Sequence, residues 1–196
     1  MRALFVLLCF LSLLSAVGAE TFDPAGAPKD FLGYAFGATE ASVTDAVKAS
    51  GKPFTAVAAK TVAGESKLLL TKQSVDKLEN ATVELAFQSG VLFRITATLP
   101  YSNEAAQGLR DVLSDKYGKV KSVDGGYRYN WFFTPVGAPA GTLPEFALIL
   151  NVDQVAKTVR LVYSDNAAKN KTGVSAPAAA PTPSPSPTAP LNPANF

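Results

Sequence analysis

The chain has 196 residues, with no histidine, one cysteine, one methionine, and 18 basic against 16 acidic residues for a net charge of +2. These counts exclude imidazole metal sites, histidine-activated nucleophiles and an internal disulfide. Charges of the two signs alternate rather than cluster, so no basic stripe is directed at nucleic acid or an anionic membrane.

Arg2 precedes an apolar run over residues 3–14, followed by Ser15-Ala16-Val17-Gly18-Ala19. Small residues at Val17 and Ala19 frame a cut before Glu20, so residues 1–19 read as a secretory signal. The run is about a dozen residues, whereas a bilayer span needs about twenty. The expected mature protein is therefore periplasmic or secreted and not inserted in a membrane. Cys9 follows Leu8 inside the run and reads as part of the signal rather than a lipid-anchor site. With the signal and a C-terminal tail set aside, about 145 residues remain for one core, a usual single-domain size.

Residues 20–29 carry Pro24, Gly26 and Pro28 and read as a loose lead-in to a single domain over 30–165. Residues 30–36 alternate as a short strand. Thr39 then predicts a helix N-cap with Glu40 in the first turn, and Val43, Ala46 and Val47 form a stripe before Gly51 and Pro53 end the helix. Residues 54–60 and 67–71 read as strands around a turn at Ala63-Gly64-Glu65, and the polar stretch 72–80 as a loop or helical turn.

The strongest signal is a hairpin over 81–99. Val83, Leu85 and Phe87 lead into Gln88-Ser89-Gly90, and Val91, Phe93, Ile95, Ala97 and Leu99 lead out. For these odd positions to share a face, an odd number of residues must separate the strands. A three-residue loop with Gly90 left-handed satisfies that. A second helix follows, capped by Ser102 or Asn103, with Leu109, Val112, Leu113 and Tyr117 as its apolar stripe and Gly118 as its stop. Residues 120–123 read as a short strand into a turn at Asp124-Gly125-Gly126. Residues 127–133 form an aromatic strand, 134–144 a loop, and 146–152 with 158–163 a second hairpin.

The fold class is α+β: a twisted antiparallel sheet of about eight strands with two helices on one face. Order and spacing suggest a duplicated α-β-β-β-β unit, with pseudo-repeats over 37–99 and 102–164. From residue 166 to 196 the composition turns to Ala, Pro, Ser and Thr, centred on Thr182-Pro183-Ser184-Pro185-Ser186-Pro187, which favours an extended, disordered tail.

Phe36-Gly37, the hairpin from Val83 to Leu92, Lys116-Tyr117-Gly118-Lys119, Trp131 and Leu161-Val162-Tyr163 together resemble uncharacterised small periplasmic α+β domains of bacteria. The tandem layout is similar to the two-repeat β-lactamase inhibitor proteins and to the small lipoprotein of the outer-membrane barrel-assembly machinery. The chain lacks the paired cysteines of the former and a lipobox cysteine like that of the latter. This resemblance implies a binding or envelope-assembly role without catalysis, and it transfers no site residue.

Catalytic patterns are weak throughout. No serine sits in a Gly-x-Ser-x-Gly elbow or has the partners of a Ser-x-x-Lys site, and no glycine-rich run joins a strand to a helix. Glu104, Asp111 and Asp115 share one face of the second helix, a pattern that a solvated face explains. No metal, cofactor or catalytic residue is expected. The expected function is an exported, non-catalytic binding module holding an envelope protein, peptide or glycan. Its candidate contact residues are Tyr101, Tyr127, Tyr129, Trp131 and Tyr163, which are large and stiff with polar tips. Tyr127, Tyr129, Trp131 and Phe133 share one face of their strand and fit core packing equally. The alternatives are a structural envelope component acting through its Pro-rich tail and, further off, a small-ligand hydrolase.

Overall fold

One eight-stranded sheet carries the molecule, in the order β1-β8-β9-β10-β7-β6-β5-β4. The structure, a computed structural model, describes residues 21–58, 64–75, 77–139 and 141–170. The signal segment, residue 63 of the first predicted turn and the Pro-rich tail past Asn170 lie outside the described residues. In chain order the elements are β1 (Thr21–Phe22), β2 (Asp30–Phe31), β3 (Tyr34–Ala35), α1 (Glu40–Ala49), β4 (Phe54–Ala58), β5 (Glu65–Val75), β6 (Leu78–Gln88), β7 (Val91–Pro100), α2 (Asn103–Tyr117), β8 (Arg128–Phe133), β9 (Phe146–Asp153), β10 (Thr158–Asp165) and α3 (Asn166–Asn170). All neighbours in the large sheet are antiparallel except β1, which runs parallel to β8. Among the described residues no helix is long and apolar enough to cross a membrane.

The helix ends form where the sequence places them. Thr39 accepts from the Ser42 amide at 3.3 Å and Ser102 from the Ala105 amide at 3.0 Å, each satisfying one of the free donors of a first turn. Val43 and Val47 of α1 and Leu109 and Leu113 of α2 join Val83, Leu85, Ile95, Leu150, Leu161 and Trp131 in one buried core. Both helices therefore cover the same sheet face. Val112, expected in the stripe of α2, is 48% exposed, because Ala105 rather than Val112 completes the buried line with Leu109 and Leu113.

The central hairpin solves its parity differently from the three-residue loop expected. Ser89 and Gly90 both have positive φ, 51° and 77°, and Gln88 pairs directly with Val91, giving a two-residue turn of the twisted kind that suits a hairpin. The odd residue reappears in β7 as a bulge. Phe87 faces Leu92 while Ala86 faces Arg94, so Phe93 is the extra position. Beyond it Val83, Leu85, Ile95 and Ala97 share the core face as expected, but the partners are shifted: Leu85 meets Ile95 rather than Phe93, and Val83 meets Ala97 rather than Ile95. Phe93 is instead turned to the opposite face, where it is buried with Ala86 and Ala168.

Other segments depart from expectation. The stretch 30–36 is a miniature hairpin rather than one strand, turning at Leu32 and Gly33 with φ of 55° and 82°. The polar stretch 72–80 continues β5 and begins β6, closing at Val75 against Leu78; paired register shifts near Lys72 and Asn80, both with positive φ, disguise the alternation. The predicted strand at 120–123 contributes only an isolated bridge from Ser122 to Tyr129. The loose lead-in supplies β1, which pairs with Phe132 and Phe133. At the other end the chain stays on the domain through α3, where Asp165 caps the Ala168 amide at 2.7 Å and Ala168 is buried. Four strands follow α1 and three follow α2, so a one-to-one repeat is not established.

The sheet face away from α1 and α2 carries ion pairs beside the apolar cluster of Phe93, Ala86 and Ala168. Lys67 pairs with Glu84 at 3.1 Å and Arg94 with Glu65 at 3.3 Å, all four side chains partly buried.

Candidate functional site

The aromatic strand β8 grades from exposed to buried along its length. Tyr127, just ahead of it, is 46% exposed, Tyr129 is half-buried, and Trp131 and Phe133 are sealed in the core. The Trp131 indole N–H donates to the Gly118 carbonyl at 2.7 Å, which ties the end of α2 to the sheet. Past Trp131 the rings continue inward: Phe133 meets Phe146 edge-on at 5.8 Å, and Phe31 stacks on Tyr163 at 4.3 Å. Trp131, 0% exposed, and Tyr163, 4% exposed, are thus placed as core residues and offer no contact surface. Burial pushes the Tyr163 phenol well above its ordinary range, with the Tyr117 hydroxyl adding to the shift.

The other three candidates come together. Tyr101, Tyr127 and Tyr129 line one cleft of about 150 Å³ between the start of α2 and the adjoining ends of β8 and β9. Tyr101 sits in the two-residue link from β7 to α2. Its amide donates to the Lys157 carbonyl at 3.0 Å. Its hydroxyl donates to the Asn103 Oδ1 and accepts from the Gln154 Nε2 at 3.1 Å. Tyr127 is held by the Val152 amide, which donates to its carbonyl at 2.7 Å, and by the preceding turn, where the Gly126 amide donates to the Ser122 hydroxyl. Tyr129 lies 6.5 Å from the Trp131 ring, centre to centre, so the buried indole fixes its position.

Polar side chains complete the walls: Asn103, Gln107 and Arg110 from α2, and Gln154 from the turn after β9. Arg110 donates Nε and a terminal nitrogen to Asp111 Oδ1 at 2.9 and 2.6 Å. Its guanidinium is held above its usual range by Asp111 first and then by the hydrogen bond with Tyr129. Arg110 is thus paired with a neighbouring carboxylate outside the lining, and the other polar side chains of the cleft are amides and phenols. The sequence did hold a signal for these residues. Asn103, Gln107 and Arg110 recur at i, i+4 and i+7, one polar line between the buried stripe and the acids Glu104, Asp111 and Asp115.

No family model, curated protein or solved structure matches this chain. The reading of the cleft therefore stands on its geometry and chemistry.

Proposed function

We propose that the protein is an exported, non-catalytic binding module whose tyrosine-lined cleft holds a saccharide in the cell envelope. One observation carries the choice among protein, peptide and glycan. Three main-chain groups at the cleft are already paired, Tyr127 O with Val152 N, Tyr101 N with Lys157 O and Gly126 N with the Ser122 hydroxyl, so an added peptide strand finds no ladder at these positions. What remains to contact a ligand is the exposed Tyr127 ring, the Gln107 amide and the halves of the Asn103 and Gln154 amides not spent on Tyr101. Sugar C–H faces suit the ring and sugar hydroxyls suit the amides. The volume is below the roughly 300–1,000 Å³ of pockets that enclose a drug-sized ligand, so one ring would sit inside and the rest of a chain would lie outside. The N-terminal signal pattern supports export.

The test is a glycan array probed with the mature protein and with Tyr127→Ala. The expected outcome is binding to a restricted set of glycans, lost in Tyr127→Ala while its unfolding curve matches wild type, because that ring is 46% exposed. A chain ending at residue 174 should keep the binding, which separates this reading from one in which the Pro-rich tail makes the contact. Binding unchanged by Tyr127→Ala and by Gln107→Ala would refute the cleft.

A further inference from the structure

A second concavity of about 480 Å³ adjoins the cleft and shares Tyr127, Val152 and Gln154 with it. It lies on the side of the sheet away from the helices. Register places three donors across it: Arg128 of β8 and Arg160 of β10 both pair with Asn151 of β9, so the three side chains stand side by side on one face. With strands about 4.8 Å apart, the two arginines flank Asn151 at roughly 10 Å from each other.

Their hydrogen bonds leave donors outward. Arg128 Nε donates to Asn151 Oδ1 at 2.9 Å, which fixes its guanidinium plane and leaves its terminal nitrogens unengaged. Asn151 has spent its carbonyl oxygen on that bond and keeps its N–H₂ for another acceptor. Arg160 is exposed, and among the described residues its side chain takes part in no side-chain hydrogen bond or ion pair. Two carboxylates also line the groove. Asp153 Oδ1 is turned back into its own loop, accepting the Val155 and Ala156 amides at 3.0 and 2.7 Å. Asp124 is the second.

We infer that this groove is an oxyanion subsite, and that the saccharide held in the cleft is acidic, its carboxylate bound by Arg128 and Arg160 while a neighbouring ring lies against Tyr127. The inference rests on the cleft being a saccharide site. Two guanidinium groups flanking an amide donor can supply charge-assisted hydrogen bonds to a carboxylate, with Asp153 Oδ1 engaged in its own loop.

Calorimetric titration of the mature full-length chain tests it, using tetramers of galacturonate, mannuronate and glucuronate, each beside its methyl ester. The ester keeps the size of the sugar and removes the charge. At least one acid should bind about tenfold more tightly than its ester, the effect of one charge-assisted hydrogen bond. Arg160→Gln and Arg128→Gln should each abolish that preference while leaving ester affinity and the unfolding midpoint unchanged. Equal affinity for acid and ester overturns the oxyanion subsite and leaves the cleft reading intact. An acid preference that survives both substitutions also overturns it. Binding of none of the six probes overturns it too, while the array with its neutral glycans decides the cleft reading separately.

Discussion

Replacing Trp131 by alanine separates the structural from the recognition role of the aromatic strand. The indole is 0% exposed, packs in the common core with Leu150 and Leu161, and donates to the Gly118 carbonyl at 2.7 Å. Truncating a buried aromatic to alanine costs about 3–5 kcal/mol through lost transfer energy and the cavity left behind. Loss of the Gly118 bond places Trp131→Ala toward the upper end, because a carbonyl held at the core's margin loses its donor. Against a typical domain stability of about 5–15 kcal/mol, that is a large fraction of the total. Trp131→Phe keeps an apolar ring but not the N–H, and should cost about 1–3 kcal/mol. Guanidinium unfolding followed by far-ultraviolet circular dichroism, which does not depend on the lost fluorophore, measures both. A loss below about 1 kcal/mol for the alanine variant would show that the ring is not the core anchor described here and would reopen a contact role.

Two further predictions concern backbone and titration. Gly118 and Gly90 both have positive φ, 96° and 77°, but a Cβ at Gly118 would lie 2.8 Å from Phe22 Cε1, whereas one at Gly90 meets nothing within 4 Å. Gly90→Ala should therefore cost about 1 kcal/mol and Gly118→Ala clearly more, with equal losses by denaturant melts disproving the Phe22 contact. Tyr163 holds its proton more tightly folded than unfolded, so its contribution is fully present below the unfolded value near pH 10 and declines as pH rises above it. Tyr163→Phe should leave stability near pH 7 almost unchanged and flatten its fall above about pH 10. Parallel alkaline slopes for variant and wild type would contradict this.

The parts of the fold legible in the sequence are those set by local chemistry. Thr39 and Ser102 announce helices because a side-chain oxygen must serve the free amides of a first turn, and the caps form as patterned. The hairpins after α1 and α2 were legible because one face of each strand meets a core. Where a bulge changes parity, the alternation misleads: Phe93 counts as a core-face residue by spacing, yet the bulge turns it toward α3. Residues 72–80 hide two strand ends behind paired irregularities for the same reason. β1 was invisible because two residues carry no period, and its parallel place beside β8 depends on a partner over a hundred positions away. For the site, residue type picked out five aromatics. Only three-dimensional placement separates Tyr101, Tyr127 and Tyr129, which open on the cleft, from Trp131 and Tyr163, which do not.

The core and the cleft are linked through the same few contacts. One wall of the cleft is α2 and the other is the end of the β8–β9 pair, and the Trp131 bond to Gly118 fastens the last turn of that helix to the neighbouring strand. Tyr129 lies 6.5 Å from the Trp131 ring and shares the cleft lining with Arg110 of the opposite wall. Tyr101 is held at both ends, through its amide to Lys157 and through its hydroxyl to Asn103 and Gln154. A site with walls fixed in this way loses little side-chain entropy when a ligand arrives, which is how a small cleft can bind without burying much area. Tyr127 alone is without such bracing of its ring, and it is the residue at which the cleft and the arginine groove meet. The most exposed of the three tyrosines thus stands where a bound chain would have to cross from one concavity to the other.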